Sequence, residues 1–269
     1  MWRRIRTITW FSLVVLSGFA GVGFAYDVVE VKNGATITGR VTFTGTPSQA
    51  PRRFEVRNGP EVCGPERVLT KLEVYNGMVK GVVIALEGVE RGKPFSSHHD
   101  TATGQGRGEF QYAGGNALNL GVRLEKCSFG PFTGVIVADE AVQFVNHDSI
   151  KHTLHTYALK GRKAKILRTL HTQSLRARRQ TEKVFPAKKL RRAVAVGLTC
   201  DRHDFMENWL YVVKNPYHAI SDESGNFHIG QVPPGDYNLV AWHPVLGMKE
   251  QRVTVSPNGR LPVDFEFVK

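Results

Sequence analysis

The chain has 269 residues, of which 41% are hydrophobic and 22% are charged. These values are ordinary for a folded protein and exclude global disorder, and the length suits two domains. The formal net charge is +12, which favours an acidic partner or surface.

Residues 1–25 predict an export signal. Three arginines (Arg3, Arg4 and Arg6) precede an apolar run from Ile8 to Phe24, and Gly23 and Ala25 supply small residues before a cleavage point. We expect a Sec signal peptide that is cut after Ala25. An uncut membrane anchor is the alternative, because the apolar run is nearly long enough to span a bilayer. Either outcome predicts a periplasmic or otherwise exported protein.

Export changes the meaning of the three cysteines, Cys63, Cys127 and Cys200. Outside the cytoplasm a pair of cysteines tends to form a disulfide, and an odd cysteine needs a separate role. The simplest arrangement joins Cys63 to Cys127 and leaves Cys200 free. Other pairings stay open at this point, because sequence alone does not fix connectivity.

The apolar pattern predicts an all-β protein. Several short segments combine period-2 alternation with β-branched or aromatic residues, and glycine- and proline-rich turns separate them. These segments are ATITGRVTF, GVVIALEGV, AVQFVN, NWLYVV, YNLVAW, QRVTV and DFEFV. Short strands at this spacing are typical of β-sandwiches.

The end of the chain predicts a sandwich that is split in sequence. Residues 227–268 hold about four strands, which need a second layer to cover their apolar face. Strands within residues 35–95 can supply that layer. We therefore expect residues 35–95 together with 214–269 to form one sandwich, with a second β domain, residues 96–213, inserted into it. The histidines of the glycine-rich loop 96–109, His98 and His99, are predicted to be solvated.

All the excess positive charge lies in residues 160–192, which hold 13 Lys or Arg and one acid. The rest of the chain is balanced, with 23 bases and 23 acids. An exported chain rarely meets nucleic acid, so we expect an acidic protein surface or an anionic membrane as the partner, with a solvated loop that has no partner as the alternative. The predicted docking residues are Lys160, Arg162, Lys163, Lys165, Arg168, Arg176, Arg178, Arg179, Lys188, Lys189, Arg191 and Arg192.

Two short segments at strand ends predict a metal site. His152 follows the strand AVQFVN in NHDSIKH, and CDRHDFM offers Cys200, His203 and Met206 before the strand NWLYVV. Two imidazoles and a thiolate with a weak thioether form a type 1, or blue, copper electron-transfer site. Cys200 would bond copper covalently, and soft Met206 would favour Cu(I). The first substitute ligand is His155.

At these residues the chain resembles a cupredoxin of the amicyanin and plastocyanin type. Further segments, among them ITGRVTFTG, EVCGPE and SDESGNFHIGQVPPGDYNLVAWH, resemble exported methylamine-utilisation-like proteins that fuse a cupredoxin to a carboxypeptidase regulatory-like domain. The resemblance implies a cupredoxin Greek-key sandwich, a transthyretin-like sandwich and one type 1 copper. It also implies that His203 is the ligand nearest the surface and the electron port. The chain departs from the pattern at Phe132, Thr153 and Asp204-Phe205.

These observations predict an exported protein that carries single electrons between redox partners, such as a c-type cytochrome or a dehydrogenase. A copper-delivery protein without a redox role is one alternative. A sandwich that binds protein or carbohydrate, with a degenerate copper site, is another. Because the sequence shows no paired carboxylates and no nucleophile beside a base, we expect neither an enzyme nor a small-molecule substrate.

Overall fold

The computed structural model describes residues 26–46, 50–95, 121–161 and 164–268. The predicted signal segment, His98, His99, Arg162 and Lys163 lie outside this part of the chain. In the described residues no helix is long and apolar enough to cross a membrane.

The prediction of an all-β fold is confirmed, because nearly all regular structure in the described residues is strand. In chain order the elements are β1 (Asp27–Val28), β2 (Ala35–Thr44), β3 (Arg52–Glu55), α1 (Pro60–Cys63), β4 (Glu66–Leu69), β5 (Val74–Tyr75), β6 (Met78–Val79), β7 (Val83–Glu87), β8 (Arg91–Gly92), β9 (Gly121–Glu125), β10 (Ser128–Gly130), β11 (Thr133–Val137), β12 (Ala141–Asn146), β13 (His152–Lys160), β14 (Lys165–Leu175), β15 (Gln180–Val184), α2 (Ala187–Leu190), β16 (Ala195–Cys200), β17 (His203–Val213), β18 (His218–Ile220), β19 (Asn226–Val232), β20 (Gly235–His243), β21 (Gly247–Val255), β22 (Arg260–Pro262) and β23 (Phe265–Val268).

One β-sandwich, here called the terminal sandwich, is built from strands near both ends of the chain. Its first sheet has the order β18-β7-β20-β21, and its second has the order β19-β2-β6-β5 with β22 and β23 also paired to β2. The two sheets enclose one apolar core, in which Ile37, Ile84 and Phe265 are almost completely buried. Each sheet contains strands from both ends of the chain, so neither end forms this sandwich alone.

The second sandwich, here called the inserted sandwich, lies between β8 and β18 in sequence. Its sheets have the orders β10-β9-β12-β15 and β11-β17-β16-β13-β14. The chain passes from one sheet to the other five times, after β10, β11, β12, β14 and β15, as in a Greek key. Leu124, Phe144 and Leu198 are buried between the two sheets.

The two sandwiches pack face to face. Val83, Ala85 and Trp242 of the terminal sandwich share an apolar cluster with Tyr211 and Val213 of the inserted sandwich. The rings of Tyr211 and Trp242 have centroids 5.3 Å apart. The shared cluster buries the outer faces of two sheets that would otherwise expose apolar residues to water.

One segment packs in a different sandwich from the one that the sequence predicts. The hairpin β3–β4 with α1, residues 52–69 and here called the cap, falls in the range 35–95 that the sequence assigns to the terminal sandwich. Its Val56 and Cys63 instead lie in the core cluster of the inserted sandwich. A disulfide from Cys63 to Cys127 accounts for this placement, because it ties the cap to the turn between β9 and β10.

The basic segment 160–192 forms strands β14 and β15 and the short helix α2. Residues Ile166, Leu167 and Leu170 have a weakly helical spacing, but Leu170 and Leu175 face the core from a strand, whereas Ile166 is exposed. Of the predicted docking residues, those that the structure describes are all exposed. Within the described part of the chain, no ion pair neutralises them.

Candidate metal centre

Strand β13 presents His152 to the interior. Burial alternates along its first residues, so His152, Leu154 and Thr156 face inward, whereas Thr153 and His155 face the other side. Before β13, the side chain of Asn146 holds the loop NHDSIKH in shape. Its Oδ1 accepts the backbone N–H of Asp148 at 2.9 Å, and its Nδ2 donates to the carbonyl of Ile150 at 2.8 Å.

The hairpin β16–β17 presents the other candidate ligands. Cys200 ends β16, His203 begins β17, and these two residues are register partners across the turn Asp201-Arg202. Cys200 also pairs with Leu154 of β13, which brings it near His152. Met206 lies three residues after His203 and is buried in the same core cluster as Cys200.

The structure brings three of the four predicted donor groups together, those of His152, Cys200 and His203. Cys200 Sγ lies 3.8 Å from His152 Nδ1 and 3.6 Å from His203 Nδ1. All four candidate ligands are buried: the exposed fraction is 0% for His152, 3% for Cys200, 3% for His203 and 1% for Met206. A first-row metal ion bonded to sulfur at about 2.3 Å and to nitrogen at about 2.0 Å, at a trigonal angle, separates the two atoms by about 3.7 Å. The donor spacing therefore fits one metal ion.

Hydrogen bonds leave both Nδ1 atoms free to bind a metal ion. His203 Nε2 donates to the carbonyl of Asn58 at 3.0 Å, and His152 Nε2 donates to Asp148 Oδ2 at 2.9 Å. A carbonyl and a carboxylate accept hydrogen bonds, so each neutral imidazole carries its proton on Nε2. The lone pair of each ring then lies on Nδ1, which faces Cys200.

Asp148 is a residue that the sequence analysis missed. Its Oδ1 accepts the backbone N–H of Lys126 at 2.6 Å, and its Oδ2 accepts the backbone N–H of Cys127 at 2.9 Å, in addition to His152. Burial opposes ionisation of Asp148, but the His152 hydrogen bond and these backbone donors lower the pKa of its carboxyl group. A carboxylate four residues before a candidate histidine ligand is the signal that the sequence offered.

The thiol of Cys200 is the reactive group of the site. In the metal-free site, Nδ1 of each ring can carry a proton that a bound metal ion would replace. Burial raises the pKa of Cys200, but hydrogen bonds from His152, His203 and the backbone N–H groups of Thr153 and Arg202 outweigh burial in that state and lower the pKa to about 6. For His152, burial lowers the pKa, but the bonds to Asp148 and Cys200 outweigh it and raise the pKa. A thiolate is the form of cysteine that binds metal ions, so the surroundings of Cys200 favour ligation.

The remaining sequence predictions have clear positions. Cys63 and Cys127 form a disulfide, and Cys200 is free and buried. His155, the predicted substitute ligand, points away from the site: its Nδ1 lies 3.0 Å from Asp201 Oδ1, and its ring stacks on Tyr157. The buried position of His203 differs from the surface position that the cupredoxin resemblance implies.

Comparison with solved structures found similarity to copper proteins over part of the chain. The purple cupredoxin from Nitrosopumilus maritimus is 16% identical and aligns with 35% of this chain and 99% of its own, with a TM-score of 0.27. A reduced Cu(I) form of an amicyanin mutant is 15% identical over 48% of this chain and 98% of its own, with a TM-score of 0.29. A copper-containing nitrite reductase from Thermus scotoductus SA-01 is 19% identical over 38% of this chain and 24% of its own, with a TM-score of 0.28.

A family model described as polysaccharide lyase family 4, domain II, matches residues 192–261. This range begins before β16 of the inserted sandwich and ends within the last strands of the terminal sandwich. No curated protein matches the chain. The predicted carboxypeptidase regulatory-like fusion and the methylamine-utilisation group stay predictions.

Proposed function

We propose that this chain is an exported protein that holds one type 1 copper and passes single electrons between redox partners. One observation carries the proposal: the Nδ1 atoms of His152 and His203 both face the Cys200 sulfur, and each ring is held by a hydrogen bond at its Nε2. Two imidazoles and one thiolate are the strong ligands of such a site, and buried Met206 supplies the soft thioether for the weak position.

The protein's own groups hold this donor set rigid. Asp148 and the Asn58 carbonyl orient the two imidazoles, and backbone N–H groups of Thr153 and Arg202 stabilise the Cys200 thiolate. Burial of all four side chains excludes water from the site. Copper, when bound, supplies a one-electron Cu(II)/Cu(I) couple. A site without bound water and with fixed ligands suits a carrier better than an enzyme, and the proposal includes no catalytic role.

Localisation and partner choice belong to the same proposal. A buried disulfide supports an oxidising compartment outside the cytoplasm, in agreement with the predicted signal peptide. The exposed basic surface of β14, β15 and α2 supports an acidic redox partner, such as a c-type cytochrome or a dehydrogenase. An anionic membrane surface is the alternative source of the same negative charge.

The visible spectrum of the Cu(II)-loaded protein tests the proposal. We expect an intense thiolate-to-copper band that is lost in Cys200→Ser. The matched control is His155→Ala, which removes a nearby imidazole that faces the other side of β13 and should leave the band unchanged. Absence of the band in the wild-type protein, or its survival in Cys200→Ser, would exclude type 1 copper.

A second function has one observation in its favour. Much of the range matched by the polysaccharide lyase family model lies in the terminal sandwich, which suggests a carbohydrate-binding role for that sandwich. Binding of polysaccharides by the Cys200→Ser protein, measured by affinity electrophoresis, tests this role without copper. Unretarded migration in every polysaccharide gel would count against it.

A further inference from the structure

The cap covers His203. Only 3% of this residue is exposed, and its Nε2 donates to the Asn58 carbonyl at 3.0 Å. The ring of Phe205 contacts both His203 and the cap. Its centroid lies 5.3 Å from that of the His203 ring and 5.9 Å from that of Phe54 in the cap. No edge of the His203 imidazole is therefore available for direct contact with a redox partner.

Several independent contacts fix the cap in this position. The disulfide joins Cys63 to Cys127, and Asn58 Nδ2 donates to the carbonyl of Arg202 at 3.3 Å. Gly59 has a φ of +69°, and a Cβ at this position would lie 2.7 Å from Ile150 Cδ1, so the turn of the cap packs closely on the loop before His152. The cover over His203 is therefore a built part of the inserted sandwich.

Asn58 joins the buried ring to the surface. Asn58 is exposed, whereas the ring that its carbonyl contacts is buried. Electron tunnelling weakens steeply with the width of a gap through space, so a hydrogen bond is an efficient bridge. We propose that electrons pass between the metal centre and the surface through the His203–Asn58 hydrogen bond, and that redox partners make contact at the Asn58 turn. This inference rests on the proposed copper function.

Charges around the turn are mixed. Three exposed bases and four exposed acids are close in sequence to the groups that meet at the turn: Arg57, Lys151, Arg202, Glu55, Glu61, Asp201 and Asp204. Arg57 also lies 3.8 Å from Glu55, so the turn carries no excess of positive charge and the proposed route does not depend on the charge of the partner. Ferricyanide is a suitable small anionic probe, because it takes one electron from the reduced protein and becomes ferrocyanide.

Blocking the turn tests the route. In copper-loaded protein, Asn58→Cys is modified with a polyethylene glycol maleimide while Cys200 is ligated and buried. The matched control carries the same label at Ser224→Cys, an exposed turn residue of the terminal sandwich. Because contact must occur at one patch, we expect the label at residue 58 to lower the ferricyanide rate constant about tenfold or more, and the label at residue 224 to change it less than about twofold. Equal effects of the two labels would overturn the inference.

A second measurement does not depend on electron transfer. In the diamagnetic Cu(I) protein, the Nε2–H of His203 should give a proton resonance that exchanges slowly with water, because the Asn58 carbonyl holds it and the cap covers it. Fast exchange of this proton overturns the inference even when the thiolate band is present. A missing thiolate band is a different failure, because it removes the proposed function itself and the inference with it.

Discussion

Removal of the Cys63–Cys127 disulfide should cost much of the stability of the inserted sandwich. The perturbation is the double variant Cys63→Ala with Cys127→Ala, and the two cysteines are 64 residues apart in sequence. In the chain-entropy model, a cross-link that closes a loop of this length lowers the entropy of the unfolded state, which stabilises the folded state by about 4 kcal/mol. Both side chains are buried, so the small cavity left behind adds to the loss.

Urea unfolding followed by near-ultraviolet circular dichroism measures this loss. We expect a lower midpoint, and a steeper dependence on urea because the unfolded variant is less compact. Cys200→Ser is the matched control, since it removes a buried thiol and keeps the disulfide. A loss below about 1 kcal/mol in the double variant would refute the entropic argument and show that the other contacts of the cap suffice.

Three further predictions follow from the site and its surface. Asp148→Asn removes the carboxylate that orients His152, and copper affinity measured by chelator competition should fall about 10–100-fold. In metal-free protein the ultraviolet absorbance of the Cys200 thiolate should titrate with a midpoint near pH 6. Because this folded-state pKa lies below the ordinary value of 9.0, ionisation of Cys200 stabilises the folded state. That stabilisation is fully present above about pH 9 and is lost as pH falls through about 6. Reversing two exposed charges of α2, with Lys188→Glu and Lys189→Glu, should slow reaction with an acidic redox protein at low salt, and high salt should remove the difference.

Each of these predictions has an outcome that contradicts it. Unchanged affinity in Asp148→Asn would mean that the backbone alone orients His152. A thiolate midpoint near 9, or a signal that persists in Cys200→Ser, would remove the argument from hydrogen bonds to the sulfur. For the basic surface, the control is reversal of Lys32 and Arg252, which are exposed on the terminal sandwich. An equal effect of that pair would show that only net charge matters.

Local patterns in the sequence were enough to predict the all-β fold and to indicate a candidate donor set. Period-2 alternation marks strands such as β12 and β20, and the spacing of Cys200, His203 and Met206 places them on one turn and one strand. The weakly helical spacing of Ile166, Leu167 and Leu170 left the conformation of the basic segment open, because threonines and a glutamine on β14 carry no strong periodic signal. There, pairing with β13 decides the conformation.

The environment of His203 was not predictable from sequence. Asn58 lies 145 residues before His203, and nothing local to either residue indicates that they meet. The contact depends on the path of the whole cap, which a distant disulfide and packing against Ile150 determine. Asp148 is a different case, because it lies four residues before His152 and its role was within reach of the sequence pattern.

The split of the terminal sandwich has a consequence for how the chain is made. Strand β7 pairs with β18 and β20, and all strands of the inserted sandwich except those of its cap are synthesised between β7 and these partners. During synthesis or export, β2 and β7 therefore emerge with apolar faces that stay uncovered until the last strands arrive. The inserted sandwich, apart from its cap, is continuous in sequence and can fold before β18 and β20 pair with β7. Late pairing of such distant strands is slow, so there is a period after synthesis in which a chaperone would protect the chain from aggregation.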